Sequence, residues 1–207
     1  SFGPAGDLYV AFSDSIAPDG TKTGAVWKLD ACGSWTNLQV PGGQGGFAAV
    51  CADPKLPGRV IVSTLARWWP KDEIYRSDDG GKTWQPVLGE AKLDLRSAPW
   101  SASLKPHWIT DVEIDPFDSN RASFVTGYGV FSTSALGGAP PVWSFDNRGL
   151  EETVPLALVS PASGAPLVSA IMDFDGFRHD DLDVSPTSGR HAPHHGKNHS
   201  LDGAGQA

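Results

Sequence analysis

The chain has 207 residues, a formal net charge of −8 and a pI of about 5.1. Nucleic acid is not expected as a partner, because it requires clustered Lys and Arg and this acidic chain has no basic stripe. No apolar run approaches the roughly 18 residues of a membrane span, so we expect no membrane partner. The 8 Trp residues fit either sheet-packing anchors or flat platforms for sugars.

Short apolar runs recur along the chain and are separated by Gly, Pro, Asp and Ser, a pattern typical of β-strands joined by turns. Their richness in Val, Ile, Phe, Tyr and Thr also favours strands. In chain order, the predicted strands are 8–12, 25–29, 47–51, 60–63, 74–76, 112–114, 124–126, 130–132, 154–159 and 167–172. No helical periodicity of useful length occurs, so the sequence predicts an all-β protein.

A unit of strand, Pro-containing turn and strand recurs around Pro54, Pro116 and Pro161. A strand-rich repeat of about 40–50 residues is typical of a β-propeller blade. We therefore predict a partial β-propeller over residues 1–186, with about three to four blades of four-stranded antiparallel sheet.

The segment 77–84 matches the Asp-box pattern Ser-x-Asp-x-Gly-x-Thr-Trp, a hairpin between outer strands of a blade. Its defined positions are Ser77, Asp79, Gly81, Thr83 and Trp84. We expect Asp79 to accept backbone N–H groups, Gly81 to adopt a positive φ and Trp84 to pack between sheets. The motif indicates a propeller but does not define an activity, because catalytic and binding propellers both carry it.

The predicted strand 167–172 ends at a carboxylate, Asp173, and Gly176 follows as a turn residue. A strand that delivers a carboxylate to the end of a sheet is one way to aim a catalytic acid at a cleft. The spacing alone equally fits an Asp that caps a turn through its own backbone, and it favours that structural role.

Several segments together resemble glycoside hydrolase family 74, which contains xyloglucanases and related endo-β-1,4-glucanases. They are 6–10, 25–30, 68–77, 108–120, 149–153, 160–167 and 176–182. The resemblance covers about residues 6–186. It implies a fold of two seven-bladed propellers with an open cleft, and an inverting mechanism that uses one aspartate from each propeller.

The resemblance assigns Asp173 as the general acid and implies that Trp68 and Trp69 shape the glucan cleft. It also implies substrate contacts for Phe177 and His179. The family pattern here is Gly-Asp-(Ile/Val)-Gly-Gly-Phe, so Met172 and Asp175 replace two glycines. The stretch that carries the family's general base is not found. We expect a piece of the enzyme that supplies the acid but lacks the base and is inactive alone.

The implied partners are a polysaccharide, xyloglucan or another β-glucan, and the missing propeller segments of the full-length enzyme; the implied location is extracellular. No cofactor is implied, and the acidic run after His179 is read as a solvated loop rather than a metal site. One alternative is a non-catalytic propeller that binds carbohydrate or protein. A sialidase is a weaker alternative, because no Tyr–Glu nucleophile pair is evident among 3 Tyr residues.

The last segment, 187–207, loses apolar periodicity and gains four His residues among Gly, Ser and Lys. We predict that this tail is disordered. The two cysteines, Cys32 and Cys51, allow at most one internal disulfide, and the spacing does not favour it.

Overall fold

The computed structural model describes residues 1–16, 20–42, 45–102, 105–138, 140–150, 153–195 and 200–201. The structure there is almost entirely β, with one single-turn 3-10 helix at Pro99–Ser101. No helix in the described ranges is long and apolar enough to span a membrane. Each predicted strand lies within an observed one, which confirms the all-β prediction.

The strands are numbered in chain order. They are β1 (Leu8–Ser13), β2 (Gly24–Leu29), β3 (Trp35–Leu38), β4 (Gly46–Ala52), β5 (Val60–Leu65), β6 (Ile74–Ser77), β7 (Gln85–Pro86), β8 (Lys92–Asp94), β9 (Asp111–Ile114), β10 (Ala122–Thr126), β11 (Gly129–Thr133), β12 (Val142–Phe145), β13 (Val154–Val159), β14 (Leu167–Met172) and β15 (Asp175–His179).

These strands form four sheets. Sheet 1 has the order β1-β2-β3, and sheet 2 is a four-stranded meander, β4-β5-β6-β7. Sheet 3 has the order β8-β12-β11-β10-β9, where β9 to β12 are an antiparallel meander and β8 adds a parallel edge strand. Sheet 4 has the order β13-β14-β15. Meanders of this kind are the blades of a partial β-propeller.

The chain divides into two compact units. Unit 1 contains Ser1–Asp94 and Lys105–Leu150, and therefore sheets 1 to 3. Unit 2 contains Leu95–Leu104 and Glu151–Ala207, and therefore sheet 4. The boundary predicted at residue 186 stays a prediction; the described residues of the tail are grouped with sheet 4.

The core of unit 1 follows from strand alternation, which puts every second side chain on one face of a sheet. Tyr9, Val26 and Leu38 of sheet 1 are buried with residues of sheet 2, including Val60 and Val62. In sheet 3 the buried face carries stacked and edge-on aromatic rings. These rings belong to Phe124, Phe131, Trp143 and Phe145.

The hairpin between β6 and β7 has the bonds expected of the Asp-box pattern. Asp79 accepts the Lys82 and Thr83 amides at 3.0 and 2.9 Å and the Thr83 hydroxyl at 2.7 Å. These bonds, chiefly from Thr83, hold the pKa of Asp79 well below its ordinary value. The Ser77 hydroxyl accepts the amide of Gly81, whose φ is +92°. Trp84 packs on the core between sheets 1 and 2.

The two cysteines are not bonded to each other: Cys32 is exposed and Cys51 is buried. The Cys51 thiol donates to the Glu113 carboxylate at 3.0 Å and accepts the Ile114 amide at 3.3 Å, which ties β4 to β9. Burial is the main cause that raises the pKa of Cys51 to about 12. The thiol is therefore a structural link between two sheets.

Candidate functional site

Asp173 lies at the tip of the hairpin between β14 and β15, in a turn with a φ of +70°. Its side chain is exposed, and within the described ranges its carboxylate makes no hydrogen bond or ion pair. A left-handed φ is uncommon outside glycine, although Asp tolerates it better than most residues. The hairpin therefore presents a solvent-facing carboxylate on a backbone of defined shape.

The residues just after Asp173 explain how this chain departs from the family's glycine pattern. Asp175 adopts a φ of +63° and is fully buried. At Gly176, φ is +123°, and an added Cβ would lie 1.9 Å from the Ser169 carbonyl oxygen. The glycine at 176 is therefore required by close strand contact, whereas position 175 needs only a residue that tolerates a left-handed φ.

Asp175 binds the C-terminal segment of unit 2. It accepts the amide of His195 at 2.7 Å, and its second oxygen lies 3.2 Å from Nδ1 of His194. The amide of His191 donates to the Gly176 carbonyl at 2.9 Å. Residues 190–195 therefore pack along β15, and the disorder predicted for 187–207 stays a prediction. Residues 196–199 and 202–207 lie outside the described residues.

Aromatic rings support the base of the same hairpin. Trp100 contacts Phe174 and Phe177 edge-on, with ring centroids 5.1 and 5.9 Å apart. Phe177 is only 4% exposed. Its ring packs under the hairpin, and a substrate contact for Phe177 stays a prediction.

His179 lies at the end of β15 and is partly exposed. Its Nε2 lies 3.0 Å from the Ser169 hydroxyl. Burial, with a smaller contribution from nearby His191, lowers the pKa of His179, so the neutral ring is favoured at neutral pH. His179 can thus offer a neutral hydrogen-bonding group, and a substrate contact there stays a prediction.

In unit 1, Trp68 and Trp69 lie in the loop between β5 and β6 and differ in their surroundings. Trp69 is 83% exposed. Trp68 is 46% exposed and packs edge-on against His107 and Trp108, with centroid distances of 5.1 and 5.7 Å. Trp69 is therefore the freer platform, while Trp68 is part of an aromatic cluster that fixes the loop.

Two buried carboxylates, Asp72 and Glu73, lie where this loop meets β6, and the sequence analysis missed them. Asp72 accepts the Thr64 hydroxyl at 2.8 Å and the Arg67 and Trp108 amides at 3.1 and 2.8 Å. Glu73 accepts three further amides, among them that of Leu88 at 2.7 Å. Burial raises the pKa of both groups, although the hydrogen bonds oppose that rise.

The Asp173 hairpin belongs to unit 2 and the Trp68 loop to unit 1. Among the described residues, no group of three or more His, Cys, Asp or Glu side chains is arranged to hold a metal ion. The candidate functional groups are an exposed carboxylate in unit 2 and exposed indole rings in unit 1.

No family model matches the chain, but the curated relatives and the solved structures that resemble it point to one family. The chain is 37% identical to a xyloglucanase from Paenibacillus over 95% of its length, and 34% identical to a xyloglucanase from Acetivibrio thermocellus, also over 95%. It spans 22% and 27% of the lengths of these curated relatives.

Two solved structures extend the similarity. A glycoside hydrolase family 74 xyloglucanase from Xanthomonas campestris matches 89% of the chain at 45% identity, with a TM-score of 0.80, and 28% of its own chain is covered. A family 74 enzyme from Niastella koreensis matches 93% at 28% identity, with a TM-score of 0.83 and 29% of its own chain covered. Fold and comparisons define a partial β-propeller related to glycosidases. The chain matches one part of the enzymes of glycoside hydrolase family 74.

Proposed function

We propose that this chain is the part of a secreted, inverting glycoside hydrolase that supplies the general acid for cleavage of the β-1,4-glucan backbone of xyloglucan. Asp173 donates the proton to the leaving glycosidic oxygen. An inverting enzyme also needs a carboxylate that activates water on the opposite side of the sugar. Other segments of the longer protein supply that base, so the chain alone does not turn over xyloglucan.

The observation that carries the proposal is the exposed Asp173 carboxylate at the hairpin tip. An acid that protonates a leaving group must reach the substrate, so it cannot be occupied by structural hydrogen bonds as Asp72 and Asp175 are. The rings beneath the hairpin and the close contact at Gly176 limit its movement, which favours a fixed position for the proton donor.

Binding is assigned to the loop in unit 1. We propose that Trp69 stacks on a glucosyl face, with Trp68 as its neighbour and support, because a flat apolar ring fits the C–H face of a pyranose. Titration of the chain with a xyloglucan oligosaccharide, followed by tryptophan fluorescence, tests this. Trp69→Ala should weaken binding, whereas Trp35→Ala, at another exposed tryptophan on sheet 1, should leave it unchanged.

The acid role is tested by moving residues 167–179 into the Paenibacillus xyloglucanase in place of the matching hairpin. The graft should retain xyloglucan hydrolysis, and Asp173→Asn within it should lower the rate roughly 100- to 10,000-fold. An aryl glycoside with a good leaving group needs little proton donation, so the same variant should lose much less activity on that substrate.

A second function, glycan or protein binding without catalysis, is favoured by one observation. Asp175 replaces a glycine of the family pattern and fastens residues 190–195 along the hairpin. A folded graft that binds xyloglucan oligosaccharides but hydrolyses none would support this alternative and would contradict the acid role. Measurable turnover of xyloglucan by the isolated chain would contradict the proposal that the general base lies in other segments of the longer protein.

A further inference from the structure

Strand β15 is the edge of sheet 4, and the place of a fourth strand beside it is only partly filled. In sheets 2 and 3 the third strand of the meander, β6 or β11, pairs with a fourth strand, β7 or β12. The strand order of sheet 4 ends at β15. The edge of a sheet presents backbone N–H and C=O groups with which an added extended segment can pair.

The C-terminal segment of unit 2 lies against this edge. Arg190 forms an isolated antiparallel bridge with Phe177. Beside this bridge, the His191 amide donates to the Gly176 carbonyl at 2.9 Å. Arg190 and His191 are half-buried, whereas residues 192–195 are exposed. The segment therefore pairs with β15 as a short added strand whose outer side faces solvent.

Acceptors along the edge match donors on the segment. Fully buried Asp175 accepts the His195 amide at 2.7 Å, and its other oxygen lies 3.2 Å from Nδ1 of His194. The Ser169 carbonyl lies 3.1 Å from Nε2 of His191. Carboxylate and carbonyl oxygens only accept, so both imidazole nitrogens carry the hydrogen. The edge thus receives backbone amides together with two imidazole N–H groups from residues three positions apart.

Asp175 gives this edge an acceptor that the family pattern lacks, because the pattern has a glycine at that position. A glycine offers no side-chain oxygen to His194 or to the His195 amide. A carboxylate that is removed from water is costly unless hydrogen-bond donors replace the water. A buried Asp at the edge therefore favours a bound segment that brings donors with it.

We propose that the outer edge of β15 is a binding site for an extended peptide, and that residues 190–195 occupy it in cis. The ligand that fits is an extended segment with two histidines three positions apart, as in His191 and His194. Residues 180–189 connect β15 to the segment, and most of them are exposed. A short tether gives an effective concentration on the order of millimolar, so the tethered segment masks the site. The proposal does not depend on catalysis by Asp173.

Fluorescence anisotropy with a labelled synthetic peptide of residues 187–195 tests the site on the full chain. His191→Pro combined with His194→Ala removes the amide and both imidazole donors of these two residues, so the tethered segment should leave the edge. The sequence of β14 and β15 is unchanged in this double variant. We expect it to bind the peptide roughly 10-fold or more tightly than the wild-type chain, in which the tethered segment competes.

Thr187→Pro is the matched control, because it places a proline in the same part of the chain without removing a donor. Thr187 is exposed and is the second residue of a turn in which the Gly189 amide donates to the Pro186 carbonyl. Proline is favoured at that turn position. The control should bind the peptide as weakly as the wild-type chain.

Asp175→Asn in the double variant tests the chemistry of the site. Asn tolerates the φ of +63° at this position, but it keeps only one acceptor oxygen and no charge. Peptide affinity should fall about 10-fold or more, since a hydrogen bond to a charged acceptor is lost. The proposal is overturned by a double variant that binds no peptide, by unchanged affinity after Asp175→Asn, or by equally tight binding to the wild-type chain.

Discussion

Asp72 provides the sharpest test of how the tryptophan loop is held. Asp72→Ala removes the acceptor for three donors, the Thr64 hydroxyl and the amides of Arg67 and Trp108. Leaving a buried donor unpaired costs roughly 1–3 kcal/mol, so the lower bound for three donors is about 3 kcal/mol. Part of this cost is offset, because the variant no longer has to bury a carboxylate. We expect a net loss of about 2–4 kcal/mol, a large share of a typical domain stability of roughly 5–15 kcal/mol.

Asp72→Asn is the matched variant, because it keeps the volume and one acceptor oxygen. That oxygen can serve the Thr64 hydroxyl and the Arg67 amide, so only the Trp108 amide faces an NH₂ group instead of an acceptor. The expected loss is about 1–2 kcal/mol. Urea unfolding at fixed pH measures both variants. An alanine variant within about 0.5 kcal/mol of the parent chain would show that these bonds do not hold the loop.

The raised pKa of Asp72 gives the same variant a pH signature. Between the pKa of unfolded Asp72 and its higher folded pKa, the folded state binds more protons than the unfolded state. The contribution of Asp72 to the free energy of unfolding is therefore greatest below this pH range and falls as pH rises through it. The parent chain should therefore lose more stability than Asp72→Asn as pH rises from the ordinary Asp range. Parallel pH profiles would refute this linkage.

Three further predictions concern other contacts. Gly176→Ala should destabilise the β14–β15 hairpin by at least about 2 kcal/mol, because its Cβ would lie 1.9 Å from a carbonyl oxygen at a φ of +123°; hydrogen exchange of the hairpin amides checks this. Asp175→Gly keeps the backbone conformation but removes the acceptor for the C-terminal segment, so amides of residues 190–195 should exchange faster while those of β14 remain protected. The folded chain should show one fast-reacting thiol, Cys32, since Cys51 is buried with a pKa of about 12; equal alkylation rates would contradict its structural role.

The strands predicted from sequence contain local runs of apolar and β-branched residues, and the ones missed are short or begin with turn residues. In strand β12, Val142–Phe145, buried side chains alternate with more exposed ones as expected for a strand, but the strand has only four residues. Strand β15 starts with Asp175 and Gly176, which resemble a turn in any local window. Pairing with β14 makes this segment a strand, and that pairing is a tertiary effect.

The exposed carboxylate at the hairpin tip could be predicted because a buried strand leads directly into it. Asp72 and Glu73 could not, since their partners are remote in sequence: Trp108 is 36 residues from Asp72, and Leu88 is 15 from Glu73. The role of Asp175 was missed for the same reason, because its partner His195 is 20 residues away. For Asp72 and Glu73, the local sequence shows only carboxylates between two aromatic segments.

The adjacent carboxylates Asp72 and Glu73 have a consequence for how this protein can change. One anchors the aromatic loop, and the other secures the backbone around Leu88, where the following strand ends. The exposed residue Trp69 can therefore be exchanged for another, provided both anchors remain, without disturbing the neighbouring sheet. The surface offered to a ligand and the scaffold beneath it are free to diversify separately.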